Sequence, residues 1–191
     1  MASNGSPAHG RLTNKIAVVT GGSSGIGRAI SAAYASEGAK VVVADLVDKS
    51  RNPKEDTSTV ELVKSLGSDA IFVKVDVSNS QSMDDLVKTA VEKYGRVDIM
   101  VNNAGIALEA SEPSPIWEVT NDRWDKTMSI NATGVFYGCR AAAKQMISQD
   151  PHPSGDRGWI INLSSVVGQV AAPSAGKSFL TPSLMALDPA M

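Results

Sequence analysis

The stretch that decides the fold is residues 16–27, IAVVTGGSSGIG. Its first five residues, 16–20, are apolar and β-branched nearly throughout, which is typical of a strand buried on both faces of a sheet. Four glycines follow at positions 21, 22, 25 and 27, and a segment of helical period begins there. A glycine-rich turn that leads from a strand into a helix brings backbone N–H groups and the positive end of the helix dipole together. The stretch therefore predicts the start of an α/β fold and, at its turn, a site for a pyrophosphate group.

The alternation of strand and helix continues along the chain. Helix-period segments lie between four more short apolar runs, which are KVVVA (40–44), AIFVKV (70–75), VDIMV (97–101) and WIINL (159–163). In the first helix, predicted over 25–37, one apolar face carries Ile26, Ile30, Ala33 and Tyr34. Strands that alternate with helices indicate βαβ units with right-handed crossovers. We therefore expect an α/β fold with a doubly wound, Rossmann-like parallel sheet.

The composition excludes several classes of protein. The chain has 191 residues, a formal net charge of −2, one cysteine and two histidines. Without an excess of Lys and Arg, neither a nucleic-acid partner nor a membrane partner is expected. One cysteine and two histidines are too few for a disulfide framework or a thiolate zinc site. No apolar run reaches the ~18 residues of a membrane span, and residues 1–12 lack the hydrophobic core of a signal peptide. We expect a cytoplasmic protein with no metal site.

A carboxylate follows the glycine turn where a ribose is expected. Asp45 ends the second predicted strand, 18 residues beyond Gly27. A carboxylate there can accept hydrogen bonds from a ribose diol and repels a 2′-phosphate, which favours NAD over NADP. Lys49 and Arg51 follow in a charged loop and could offset part of that repulsion. The alternative interpretation of Asp45 is a solvated acidic residue at a strand end.

A long helix is predicted over residues 121–147. Its buried face is expected to carry Trp124, Met128, Val135, Cys139, Ala142 and Met146. Asn131 falls on the same face at spacings of three and four residues. Because a buried amide needs hydrogen-bond partners inside the protein, Asn131 either braces the backbone or holds a group that is used in catalysis.

Two serines, Ser164 and Ser165, come at the carboxyl end of the fifth predicted strand. Ligands of open α/β sheets bind at that end of the strands, where a hydroxyl can polarise a substrate oxygen. The alternative is that the two serines only form a turn.

Four motifs in register resemble those of the short-chain dehydrogenase/reductase family. They are T-G-x-x-x-G-x-G at residues 20–27, the pair Asp76-Val77, N-N-A-G at residues 102–105, and G-x-I-x-N-x-S-S-x-x-G at residues 158–168. The resemblance covers residues 15–170. It implies the strand order 3-2-1-4-5, NAD or NADP as the cofactor, and hydride transfer between that cofactor and a small-molecule secondary alcohol or ketone. It also implies a homo-oligomer.

The resemblance further implies roles for individual residues. Ser165 would polarise the substrate oxygen, and Asn131 would anchor a water molecule of the proton relay. The pair Asp76 and Val77 would lie beside the adenine. The implied cofactor contacts are Gly21, Ser23, Ser24, Gly25, Ile26, Gly27, Asp45, Leu46, Asp76, Val77, Asn103, Ala104 and Gly105. Residues 15–170 would then form the NAD(P)-binding domain, with a flexible tail at 1–14 before it and an irregular tail at 171–191 after it.

The sequence departs from the family after about residue 176. The catalytic Tyr-x-x-x-Lys of the family would begin thirteen residues past Ser165, but that position holds Ser178, and the lysine position holds Pro182. None of the three tyrosines is followed by a lysine four residues later. The general acid is therefore missing from these 191 residues. We interpret the tail as a frame change, a retained intron or a gene-model error joined to a family N-terminal part.

Three functional hypotheses follow from this sequence. The chain is an NAD(P)-dependent oxidoreductase, or a catalytically inactive chain that still binds dinucleotide or a partner, or an unstable truncation product. In the family, a sixth strand covers the fifth, and a helix from the missing part forms much of the subunit interface. We therefore expect the outer edge of the fifth strand to be open, and the usual oligomer of the family is in doubt here.

Overall fold

A computed structural model of the chain describes residues 10–108 and 115–165. Five parallel strands form one sheet in the order β3-β2-β1-β4-β5. The strands are β1 (Ile16–Thr20), β2 (Lys40–Asp45), β3 (Ala70–Lys74), β4 (Ile99–Asn102) and β5 (Trp159–Asn162). The parallel sheet and the strand order expected from the sequence are confirmed.

Helices cover both faces of this sheet. They are α1 (Gly25–Ser36), α2 (Thr59–Ser65), α3 (Ser80–Tyr94), α4 (Asn121–Met128) and α5 (Gly134–Ser148), with a 3₁₀ turn at Ile116–Glu118 and a π-helical turn at Ser129–Thr133 between α4 and α5. Helices α1 and α2 share a buried cluster with one face of the sheet, and α3 and α5 share another with the opposite face. The predicted doubly wound arrangement is confirmed.

The central strand β1 shows why the apolar runs lack a polar face. All five of its residues are buried. Ala17 and Val19 belong to the cluster on the α1 and α2 side, whereas Val18 belongs to the cluster on the α3 and α5 side. A strand between two helical layers must be apolar on both faces. Its carboxyl end, between those of β2 and β4, leads into the glycine turn.

The packing face predicted for α1 is wrong at its first turn. Ile26 is 67% exposed, and α1 instead buries Arg28, Ser31 and Ala35. Ile26 lies next to the N-terminus of α1, beyond the end of β1, where a cleft and not the core faces the helix. A polar residue such as Arg28 can take a buried position only because it has hydrogen-bond and ionic partners there.

The buried face predicted for the long helix is also wrong at its N-terminal end. Trp124 is 43% exposed, and the buried residue of α4 is Thr127. Thr127 precedes the buried Val135 by eight residues, whereas two turns of a regular α-helix contain about seven residues. The π-helical turn at Ser129–Thr133 supplies the extra residue, so the helix face that meets the core shifts by one position before it.

Residues 10–14 are the part of the predicted tail 1–14 that the structure describes. The described part, residues 10–14, packs against the end of α1. Leu12 N donates to Glu37 O at 2.9 Å, Asn14 N donates to Gly38 O at 3.3 Å, and Arg11 forms an ion pair with Glu37 at 2.9 Å. Residues 1–9 and the predicted irregular tail 171–191 lie outside the described residues.

Candidate functional site

A cleft of about 260 Å³ opens at the carboxyl ends of β1, β2, β3 and β4. Ten of the residues predicted as cofactor contacts line it together, and these are Gly21, Ser24, Ile26, Asp45, Leu46, Asp76, Val77, Asn103, Ala104 and Gly105. Five further residues complete the described lining, namely Ala44, Arg51, Val75, Ile106 and Ile130. The segments after four different strands therefore meet at one site, as expected for an open α/β sheet.

The glycine turn approaches the segment after β4 so closely that side chains do not fit. A Cβ atom on Gly21, whose φ is +64°, would lie 2.9 Å from Nδ2 of Asn103 and 3.0 Å from Cα of Ala104. A Cβ atom on Gly27 would lie 2.2 Å from the carbonyl oxygen of Gly21. Two of the three glycines of the motif are therefore required by close contact within the protein itself.

The N-N-A-G segment holds the glycine turn through hydrogen bonds. Nδ2 of Asn103 donates to the carbonyl oxygens of Thr20 at 2.8 Å and Gly21 at 3.3 Å. The Thr20 hydroxyl accepts from the backbone N–H groups of Asn103 and Ala104, both at 3.0 Å, and donates to Val101 O at 3.2 Å. The predicted contact residue Asn103 thus also fixes the shape of the turn.

Asp45 is buried at the wall of the cleft, with 8% of its surface exposed. Its Oδ2 atom accepts from Ser23 N at 3.1 Å, and its Oδ1 atom accepts from Leu46 N at 2.8 Å. The alternative of a solvated acidic residue is therefore wrong. Each carboxylate oxygen can accept a second hydrogen bond, so Asp45 can still bind hydroxyl groups in the cleft.

The turn fits the anionic pyrophosphate of a dinucleotide. The Ser23 hydroxyl is buried and has no hydrogen-bond partner among the described residues. The Ser24 side chain, at the N-cap of α1, makes no capping hydrogen bond, and a Cβ atom on Gly25 would meet nothing within 4 Å. Free hydroxyl donors and open space at a helix N-terminus are what a phosphate group requires. No acidic side chain stands in the first turn of α1 to oppose it.

The segment after β3 forms the wall opposite the turn. Oδ1 of Asp76 accepts from the backbone N–H of Ser78 at 2.9 Å and from its hydroxyl at 2.6 Å. Asp76 N donates to the Ser82 hydroxyl at 3.0 Å. A Cβ atom on Gly134 would lie 3.1 Å from Cγ2 of Val77, so α5 packs tightly behind this wall. The predicted pair Asp76-Val77 is thereby held in a fixed position.

Asn131 lies in the π-helical turn and does not line the cleft with its side chain. Its Oδ1 atom accepts from Ile106 N at 2.9 Å, and its Nδ2 atom donates to Ile106 O at 2.8 Å. The amide therefore braces the backbone of a cleft residue, as one of the two interpretations from the sequence expected. Its role in anchoring a water molecule stays a prediction.

Ser165 is half-buried in the segment after β5, and Ser164 is exposed. This segment continues along β4, because Leu163 N donates to Asn102 O at 3.0 Å. Ser165 is absent from the described lining of the cleft, so its role toward a substrate stays a prediction. The rest of its motif, residues 166–168, and the positions of Ser178 and Pro182 lie outside the described residues.

A polar network connects the ends of β4 and β5. Nδ2 of Asn102 donates to Oδ1 of Asn162 at 2.8 Å, and the Cys139 sulfur lies 3.5 Å from each amide. Burial raises the pKa of the Cys139 thiol. A Cβ atom on Gly138 would lie 1.9 Å from Oδ1 of Asn102, so α5 approaches β4 closely here. The network fixes the two strand ends from which the N-N-A-G and serine segments emerge.

The sequence did not predict four of the lining residues. It indicated a fifth, Arg51, only as a positive charge that offsets the charge of Asp45. Ala44 and Val75 belong to predicted buried strands, and Ile106 and Ile130 stand next to Gly105 and Asn131 without a polar group that points to a site. Arg51 lies in a loop without helix or strand period, where the sequence gives no sign that its side chain reaches the cleft.

The part of the chain that the structure describes contains no helix long and apolar enough to cross a membrane. Over the same residues, no three His, Cys, Asp or Glu side chains come together as ligands for a metal ion.

Known proteins are similar to this chain over most of its length. The sequence model of short chain dehydrogenases matches residues 15–178. The chain is 35% identical over 168 residues to 2,5-dichloro-2,5-cyclohexadiene-1,4-diol dehydrogenase of Sphingobium indicum, which covers 88% of this chain and 60% of that protein. It is 37% identical over 166 residues to tropinone reductase-like 2 of Erythroxylum coca, covering 87% and 55%. The chain thus spans less than two thirds of the length of these curated relatives.

Solved structures agree with this match. A short chain dehydrogenase from Mycobacterium smegmatis has a TM-score of 0.73 and 31% identity, and the match covers 90% of this chain and 67% of that one. A short-chain type dehydrogenase/reductase from Mycobacterium marinum has a TM-score of 0.73 and 27% identity, covering 85% and 60%. On the match of the family's sequence model over residues 15–178 and on these structural matches, the chain belongs to the short-chain dehydrogenase family.

Proposed function

We propose that this chain binds NAD or NADP in the cleft, and that the protein transfers a hydride between that cofactor and a secondary alcohol or ketone. The observation that carries the proposal is the cleft that Gly21, Asp45 and Asn103 line at the N-terminus of α1. A Cβ atom on Gly25 would meet nothing within 4 Å there, which leaves space for a phosphate group. Relatives named as a diol dehydrogenase and as a tropinone reductase-like protein support the substrate class.

The proposal assigns a binding role to the residues on each side of the cleft. The turn and the Ser23 hydroxyl bind the pyrophosphate, Asp45 accepts hydrogen bonds from the adenosine ribose, and Asp76 and Val77 flank the adenine. The bound nicotinamide supplies the hydride donor or acceptor. Asn131 holds the backbone of Ile106 in place, and Ser165 donates a hydrogen bond to the substrate oxygen.

We further propose that NAD is preferred over NADP. The Asp45 carboxylate is buried at the cleft wall and would face a 2′-phosphate with its negative charge. Removal of this charge tests the preference. Asp45→Asn is expected to lower the ratio of the Kd for NADPH to the Kd for NADH, measured by fluorescence titration. The matched control is Asp156→Asn, which removes the same charge from an exposed residue in the loop before β5. An unchanged ratio in Asp45→Asn would contradict the preference.

The second candidate is a chain that binds dinucleotide without turnover. The observation in its favour is that no tyrosine of these 191 residues is followed by a lysine four residues later. Loss of a proton-transfer group slows such reactions by about 10²- to 10⁴-fold. The purified chain is titrated with NADH and then assayed for NADH oxidation with a panel of cyclic ketones. Binding with oxidation supports the first proposal, binding alone supports the second, and no binding contradicts both.

Two other expectations stay predictions. The composition predicts a cytoplasmic location, and the resemblance to the family predicts a homo-oligomer, for which size-exclusion chromatography with light scattering is the direct measurement.

A further inference from the structure

The carbonyl group of Gly22, inside the glycine turn, is bound by a residue of a different helix. The Thr59 hydroxyl donates to the Gly22 carbonyl oxygen at 2.9 Å. Thr59 is the first residue of α2, it lies 37 positions further along the chain, and its exposed fraction is 0%. This hydrogen bond therefore connects the buried start of α2 to the turn between β1 and α1.

A buried arginine of α1 sets the direction of this hydroxyl. Nη1 of Arg28 donates to the Thr59 oxygen at 3.1 Å. Because a guanidinium has donors only, the hydroxyl must accept from Arg28, and its single proton is left for the Gly22 carbonyl. The Thr57 hydroxyl at 3.2 Å from Nη2 and the Glu55 carboxylate at 3.3 Å from Nε hold the guanidinium in place. The bond to Gly22 is thus the second in a chain that begins at a charged donor, which strengthens it.

The peptide group between Gly22 and Ser23 is held at both of its polar atoms. Its carbonyl oxygen accepts from Thr59, and its N–H, which belongs to Ser23, donates to Oδ2 of Asp45 at 3.1 Å. Both partners lie outside the turn, one at the end of β2 and the other at the start of α2. Since a buried peptide group needs both hydrogen bonds, its plane cannot rotate without a loss at each end. Residues 45 and 59 together therefore fix the orientation of this peptide.

This orientation bears on how the turn meets an anion. Ser24 and Gly25 follow the held peptide directly and lead into α1, where backbone N–H groups attract a phosphate. Without the Thr59 hydroxyl, the buried Gly22 carbonyl loses this donor and Asp45 alone holds the plane. A carbonyl oxygen that turns to find another donor carries the N–H groups after it out of place.

We propose that Thr59 is a positioning residue for the diphosphate-binding turn, and that Arg28 acts through Thr59 by orienting its hydroxyl. Neither residue is among the described residues that line the cleft, so both act through the turn. The inference rests on the proposed function, because it concerns how tightly the same turn binds the diphosphate of a dinucleotide.

The test measures how much the diphosphate adds to the affinity. ADP and adenosine each displace NADH from the full chain in a fluorescence competition assay, and the ratio of the Kd for adenosine to the Kd for ADP reports on the turn. Thr59→Val removes the hydroxyl and keeps the branched shape. It is expected to lower this ratio about two- to tenfold, the range for one hydrogen bond. Thr59→Ser keeps the hydroxyl and is expected to restore the ratio of the unaltered chain.

The matched control is Thr127→Val. Thr127 is equally buried, and its hydroxyl donates to the carbonyl oxygen of Arg123 at 2.9 Å within α4. This variant is expected to leave the ratio unchanged. Thr59→Ala, which also removes the hydroxyl, carries the same expectation as Thr59→Val if the valine variant does not fold.

The role of Arg28 is tested in the Thr59→Val background. Because Arg28 acts through Thr59, the further change Arg28→Met is expected to leave the ratio at the value of Thr59→Val. A further decrease would show that the charge of Arg28 acts on the diphosphate directly, and would overturn its role through Thr59.

Two results would overturn the proposal for Thr59. One is an unchanged ratio in Thr59→Val, including the case in which ADP and adenosine are weakened equally. The other is a ratio that Thr59→Ser does not restore. Failure of the unaltered chain to bind NADH would instead overturn the proposed function, and this inference with it.

Discussion

A Cβ atom on Gly27 would lie 2.5 Å from Nδ2 of Asn103, although the two residues are 76 positions apart in the chain. The glycine of the first helix and the amide after the fourth strand are therefore fitted to each other. The two motifs depend on each other. The absence of a Cβ atom on Gly27 leaves space for the Asn103 amide, and that amide donates hydrogen bonds to two carbonyl groups of the turn. The shape of the glycine turn therefore depends on both Gly27 and Asn103.

Gly27→Ala is expected to abolish dinucleotide binding. Its methyl group meets the backbone carbonyl of Gly21 at 2.2 Å, so the turn itself must move. Overpacking of this kind costs about 1–3 kcal/mol of stability. Urea unfolding and NADH titration measure the two effects. The control is Gly155→Ala, a strained substitution at φ +92° in the loop before β5 with open space around it, which should lower stability and leave the affinity for NADH intact.

Asn103→Ala removes the donor to two carbonyl oxygens of the turn. The loss of these hydrogen bonds is expected to lower the free energy of unfolding by about 1–2 kcal/mol and to weaken NADH binding as well. Asn79→Ala is the matched control, because it removes the side-chain cap of α3 at a similar cost of about 1 kcal/mol. If both variants weakened NADH binding equally, the bracing role of Asn103 would be refuted.

Asp98→Ala is expected to be the most destabilising of these changes. The Asp98 side chain is fully buried, and its Oδ1 atom lies 2.6 Å from Nε of Arg96 and 2.8 Å from Nε2 of His152. Its Oδ2 atom accepts from Ile16 N at 2.8 Å. Removing the carboxylate leaves these groups without their acceptor, at a cost of about 3–5 kcal/mol.

Denaturant unfolding of Asp98→Ala is compared with that of Glu37→Gln, which breaks an exposed ion pair and should change stability little. An equal decrease in the free energy of unfolding in the two variants would contradict the expectation that the buried Asp98 stabilises the fold more than an exposed ion pair does.

Cys139 is expected to make stability depend on pH in the alkaline range. Burial raises the pKa of its thiol above the usual 9.0, so the unfolded chain releases this proton first as the pH rises. The stabilising contribution is therefore complete below about pH 9 and is lost as the pH rises through the pKa of the folded state. Urea unfolding at pH 8 and pH 10 measures it, with Cys139→Ala as the reference that lacks this contribution.

Alkylation provides an independent readout of the same thiol. Iodoacetamide should react with Cys139 more slowly at pH 8 than with N-acetylcysteine, because the thiolate is the nucleophile. A reaction as fast as that of the free thiol would contradict the raised pKa.

The sheet was predictable because its signals are local. Each strand is a short apolar run, and the three central strands β1, β2 and β4 are buried almost throughout. The glycine turn was equally visible, because close backbone contact demands glycine at fixed spacing. The strands and the close contact between Gly21 and Gly27 depend on neighbours in sequence, and a single chain suffices to detect them.

The features that were missed depend on partners far away in sequence. The burial of Arg28 follows from Thr57 and Glu55, which no periodicity of α1 can show. The exposure of Trp124 follows from one extra residue in the π-helical turn, which shifts the buried face without changing the composition of the helix. Arg51 reaches the cleft from a loop in which Glu55 accepts hydrogen bonds from the two neighbours of Arg51, Ser50 and Asn52.

The hydrogen bond from Asn103 to the carbonyl oxygen of Thr20 also determines when the glycine turn can be completed during synthesis of the chain. Strands β1 and β2 with α1 are complete by residue 45, but the amide that holds the turn comes 83 residues after Thr20. Chains emerge from the ribosome N-terminus first. A nascent chain that ends before β4 already carries every glycine of the motif but lacks the Asn103 amide that binds the carbonyl groups of Thr20 and Gly21.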